Sequence, residues 1–76
     1  MKIQKTNPRH YFSDEQIEKI AKKLHKSSSR KTALLQVHLD DIWIYIKCED
    51  SSVVKAQLLK SGKFTDVRDN SINYWR

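Results

Sequence analysis

The sequence predicts an α+β two-layer sandwich. Two helices pack on one face of a four-stranded antiparallel sheet, or a five-stranded one if the N-terminus joins it, in the order (β)αββαββ. Three observations carry this expectation: a capped amphipathic stretch opening at Ser13, two alternating runs that meet at Asp40-Asp41, and a second helix-compatible run stopped by Gly62. Seventy-six residues leave room for one core, so residues 1–76 are read as a single domain.

Residues 1–11 are polar and basic. Within them Lys2-Ile3-Gln4-Lys5 reads as either a flexible arm or an edge strand, interrupted by Asn7-Pro8. The first helix has a complete start signal. Ser13 is the N-cap, Gln16 completes a capping box, and Phe12 and Ile17 occupy the two positions of a hydrophobic staple. Ile17, Ile20, Ala21 and Leu24 then form one apolar stripe, with Lys19, Lys22, Lys23 and Lys26 on the far side. Ser27, Ser28 and Ser29 end the helix by competing for its backbone hydrogen bonds.

A hairpin follows. Leu35, Val37 and Leu39 alternate with Leu34, Gln36 and His38, and Ile42, Ile44, Ile46 and Cys48 alternate with Trp43, Tyr45 and Lys47. A two-residue turn at Asp40-Asp41 would pair 39 with 42, 37 with 44 and 35 with 46 on the core side. Residues 52–61 are read as a second helix capped by Asp50 or Ser51, with Val54 and Leu58 facing the core and Gly62 as its left-handed stop. A last hairpin is expected from residues 64–68 and 71–75 around Asp69-Asn70, adding Val67, Ile72 and Tyr74 to the core. If residues 2–5 pair into the sheet, the order opens β-α-β-β-α-β, which is similar to the ferredoxin-like arrangement in topology alone.

Charge is the most informative composition feature. Residues 1–31 carry nine basic and three acidic side chains, whereas residues 32–76 carry six of each, so the whole net charge of +6 lies in the first part. That imbalance points to a polyanionic partner, nucleic acid or an acidic protein. The helix lysines, extended by Arg30 and Lys31, form a stripe suited to phosphates, and equally an ordinary solubilising surface.

The second sheet face should carry Gln36, His38, Trp43, Tyr45, Lys47, Phe64, Asp66, Arg68, Asn73 and Trp75. Its rings are unusual for a solvent face. Trp43, Tyr45 and Trp75 are suited to stacking bases, with Lys47 and Arg68 on phosphates. The leading expectation is therefore a small non-catalytic nucleic-acid-binding module using Lys19, Lys22, Lys23, Lys26, Arg30, Lys31, Trp43, Tyr45, Lys47, Arg68 and Trp75. The alternative is a regulatory or inhibitory module that docks on a protein through the aromatic face, or pairs there as a homodimer.

No catalytic residue, metal or cofactor is expected. His10, His25 and His38 fall on an arm, a helix flank and a strand, Cys48 is a lone core-facing thiol, and no glycine-rich phosphate loop occurs. A ribonuclease built on His38, Tyr45 and Arg68 has the right residue types but no spacing to recommend it. No apolar run approaches the ~20 residues of a membrane span, so no membrane partner and a cytoplasmic setting are expected.

Overall fold

The computed structural model describes residues 2–7, 9–28, 33–49 and 52–70. The elements are β1 (Lys2–Lys5), α1 (Asp14–Ser27), β2 (Leu34–Leu39), β3 (Trp43–Cys48), β4 (Val53–Leu58) and β5 (Phe64–Asn70). They form one five-stranded mixed sheet in the order β1-β2-β3-β4-β5, with α1 packed on one face. β1 runs parallel to β2 and every other pair is antiparallel, which corrects the all-antiparallel expectation. The crossover that a parallel pair requires is supplied by α1.

The helix forms where its local signals place it. Ser13 Oγ accepts from Gln16 N at 3.3 Å and Gln16 Oε1 accepts from Ser13 N at 2.8 Å, so both halves of the capping box are made. Asp14 and Glu15 complement the positive end of the helix, and Asp14 pairs with Lys5 at 3.1 Å. Ile17, Ile20, Ala21 and Leu24 are buried against Val37, Leu39, Ile44, Ile46, Cys48, Val54, Ala56 and Leu58. Each fully buried large aliphatic side chain here contributes about 1.5–3 kcal/mol.

The expected second helix is a strand. Residues 54 and 58 share a face in a helix and in a strand alike, so that pair did not discriminate between them. Ala56 does: Val54, Ala56 and Leu58 are all buried, Lys55 and Gln57 are half-buried on the other side, and the β-branched Val53-Val54 suits the pleat. Gly62 still has the left-handed backbone foreseen for it, at φ +85°, but it serves the β4–β5 connection. Without a second helix the ferredoxin-like order does not arise.

The turn expected at Asp69-Asn70 is also absent. These residues hold register positions opposite Val54 and Val53 in a continuous β5. The expected strand at 71–75, with Ile72, Asn73, Tyr74 and Trp75, lies outside the described residues.

The β2–β3 hairpin turns one residue later than expected. Asp40 N donates to Trp43 O at 3.1 Å, and Asp40 Oδ1 accepts from Ile42 N and Trp43 N at 3.1 and 2.7 Å, which makes Asp41-Ile42 the loop. From Gln36 to Leu39 the pairings move by two residues, giving 39 with 44 and 37 with 46, while Leu34, beyond the irregularity, moves by one to Cys48. A shift of two preserves the faces, where a shift of one would exchange them.

Three residues assigned to the core are exposed. Ile42 is the turn residue, Leu35 stands at an irregularity between Leu34 and Gln36, and Val67 lies on the edge strand. Leu34 takes the inward place beside Cys48.

Candidate nucleic-acid interface

The cross-strand registers arrange the face opposite α1 into three rows. The first runs Lys2, Gln36, Lys47, Val53 and the register position of Asn70. The second runs Gln4, His38, Tyr45, Lys55 and Arg68. The third is Trp43, Gln57 and Thr65, beside the Asp41-Ile42 turn. Rows are two residues apart along a strand, ~6.6 Å, and five strands span ~19 Å. The first two rows hold four cations and no carboxylate.

Contacts along these rows fix several side chains. His38 and Tyr45 meet edge to face with centroids 5.8 Å apart, and His38 Nε2 is hydrogen-bonded to Thr6 Oγ1. Gln36 Nε2 donates to Gln4 Oε1 at 2.6 Å. Lys55 Nζ stands 5.6 Å from the Trp43 ring centroid, within cation–π range. Thr65 Oγ1 donates to Gln57 Oε1 at 3.4 Å. Trp43, Tyr45 and Lys47 are half-buried and Arg68 is exposed. α1, the one helix among the described residues, lies on the other face; on this one Val53, in the first row, is fully buried, while the side chains of the second and third rows are half-buried or exposed.

The structure therefore brings Trp43, Tyr45, Lys47 and Arg68 together, as the alternation implied. Lys19, Lys22, Lys23 and Lys26 are exposed on α1, in the opposite layer of the molecule, and Lys22 is paired with Glu18 at 3.3 Å. One extended ligand lying on the sheet does not reach them. Arg30, Lys31 and Trp75 lie outside the described residues.

Phe64, expected outward, packs against the core opposite Leu58. Asp66 sits where the β4–β5 register shifts between Lys55 and Gln57, with φ +54°, so the alternation that placed it breaks there. Lys2, Gln4, Lys55, Gln57 and Thr65 join the face without having been singled out. Reading Val54, Ala56 and Leu58 as one side of a strand would have revealed Lys55 and Gln57.

His10 is buried at the entry to α1, His25 is on α1 and His38 is on the sheet. Among the described residues no group of three or more His, Cys, Asp or Glu is placed to hold a metal ion, and no helix is long and apolar enough to cross a membrane. The chain matches no protein-family model, curated protein or solved structure.

Proposed function

We propose that this protein is a small non-catalytic module that binds single-stranded nucleic acid on the sheet face opposite α1. The observation that carries the reading is the pair of carboxylate-free rows, in which Lys2, Lys47, Lys55 and Arg68 surround Tyr45 and His38, with Trp43 adjoining. Rings on a sheet take bases by their faces, at ~1–3 kcal/mol per base, while cations in the neighbouring rows take phosphates. A non-catalytic role is favoured because the three histidines stand on the segment before α1, on α1 and on β2, and acid–base work on a phosphodiester needs two groups at one place. The same four cations weigh against a second copy seated on this face, where like charges would meet.

The test is a titration of labelled single-stranded RNA, single-stranded DNA and duplex DNA across salt concentrations. It uses the wild type, a Lys47→Gln/Lys55→Gln/Arg68→Gln variant, and a Lys19→Gln/Lys22→Gln/Lys23→Gln/Lys26→Gln variant. The expected result is single-strand binding whose log K–log salt slope falls by about 0.7 for each cation removed from the sheet. The helix variant should retain most of that slope. Absence of single-strand binding, or a larger loss from the helix variant than from the sheet variant, overturns the proposal.

A further inference from the structure

The third row ends in a cavity of about 710 Å³ lined by Thr6, Asn7, Asp40, Asp41, Ile42 and Trp43. Its volume is in the range of small-molecule sites. Two independent ties hold its walls together. Thr6 N donates to Leu39 O at 2.6 Å, and Asn7 Nδ2 donates to Asp41 Oδ1 at 3.0 Å, joining the segment after β1 to the β2–β3 turn. Asn7 Oδ1 is itself fixed by Arg9 N at 3.1 Å, which sets the amide so that its nitrogen faces the aspartate. Trp43 contributes an indole, and Ile42, 50% exposed although large and apolar, contributes a second hydrophobic surface.

The polar chemistry of this cavity differs from that of the rows beside it. No cationic side chain lines it, and two carboxylates do, so it repels the phosphates that the neighbouring rows attract. An indole wall beside carboxylates suits a planar ring bearing N–H donors.

Asn7 and Asp41 sharpen this further. Asn7 Nδ2 has two hydrogens, one of which is given to Asp41, leaving one N–H beside a carboxylate. Asp41 Oδ2 accepts no hydrogen bond among the described residues. The pair thus presents one donor followed by acceptors. Guanine is the base whose pairing edge reads acceptor, donor, donor, through O6, N1–H and the 2-amino group. Read in the same sense, adenine and cytosine present a donor and then an acceptor and match neither of the first two positions, whereas uracil matches the first two but sets its O2 acceptor against the carboxylate.

We infer that this cavity is a guanine subsite: Trp43 stacks the base, Asn7 donates to O6, and Asp41 accepts from N1–H and the 2-amino group. The inference rests on the single-strand reading above and deepens it. It gives the sheet a direction, with a specified base at the turn end and phosphates over the two cationic rows.

The experiment compares three RNA tracts: all uridine, uridine with one guanosine, and the same with inosine, which lacks the 2-amino group. Wild type should bind the guanosine tract roughly tenfold more tightly than the all-uridine tract, with much of the gain lost for inosine. Asp41→Asn should erase the preference while leaving all-uridine binding equal or stronger, because a negative charge is removed. Asn7→Leu should erase it from the other side, and its retained all-uridine binding shows that the fold persists.

Equal binding of all three tracts by wild type, with binding still dependent on Lys47, Lys55 and Arg68, overturns the guanine subsite alone. Failure of every tract to bind overturns the single-strand reading with it. A guanosine preference that survives both substitutions places the recognition elsewhere and also overturns the inference.

Discussion

Replacing Gly62 by L-alanine and, through chemical synthesis, by D-alanine isolates what the β4–β5 connection asks of its backbone. Gly62 has φ +85°, and a Cβ built there meets only Ile20 Cδ1, at 3.8 Å, an ordinary van der Waals distance. Steric collision therefore contributes nothing, and the cost of L-alanine is conformational. Holding an L-residue in the left-handed region costs roughly 1–2 kcal/mol. Restricting the unfolded chain returns about 0.4–1 kcal/mol. The expected net loss is about 0–1.6 kcal/mol, and for a domain of this size each kcal/mol lowers Tm by roughly 4–8 °C. D-alanine favours positive φ and keeps the entropic gain, so it should be less destabilising than L-alanine. Urea denaturation followed by circular dichroism measures both. Equal destabilisation by the two enantiomers would refute the reasoning, because it would mean that the added methyl, not the sign of φ, carries the cost.

Ser13→Ala removes the acceptor for Gln16 N and should cost about 1 kcal/mol in urea midpoint analysis; a neutral result removes the capping box from the account of α1. Asp40→Ala strands two turn N–H groups and should cost about 1–2 kcal/mol, whereas Asp40→Asn, which keeps the accepting oxygen, should recover most of it. Leu35→Ser should change stability by less than about 0.5 kcal/mol, while Leu34→Ala should cost at least about 1 kcal/mol; the reverse order would mean that β2 lacks its irregularity. Cys48 is fully buried, so its reaction with a thiol reagent should follow the denaturant dependence of global unfolding, and rapid labelling in native buffer would contradict its placement.

What the sequence revealed depends on how local each determinant is. α1 was legible because its cap, staple and stripe all lie within residues 12–24. The faces of β2 and β3 were legible from alternation, even though the turn was misplaced by one residue, since the pairing error was even. Residues 53–58 were misread because Val54 and Leu58 suit both periodicities, and the strand wins by adding backbone pairs to β3 on one side and β5 on the other. Asp69 and Asn70 have turn-forming side chains, yet their backbone completes the ladder to β4.

The site followed the same division. Trp43, Tyr45, Lys47 and Arg68 were recoverable from alternation, and Lys55 was lost with its strand. The sequence total of charge also misled. The first thirty-one residues hold the net excess, but the four sheet cations are drawn from β1, β3, β4 and β5 and meet only through pairing.

The parallel contact of β1 with β2 has a kinetic consequence. Each of the three antiparallel joints closes a short segment, while joining Lys2 to Gln36 closes a loop that contains the entire helix. The four-strand meander is therefore the part able to assemble from neighbours alone, and the leading strand clips on last and comes away first. Amide protons of residues 2–5 should accordingly exchange ahead of those in β3, and a cargo fused before residue 2 would pull on the seam that yields most readily.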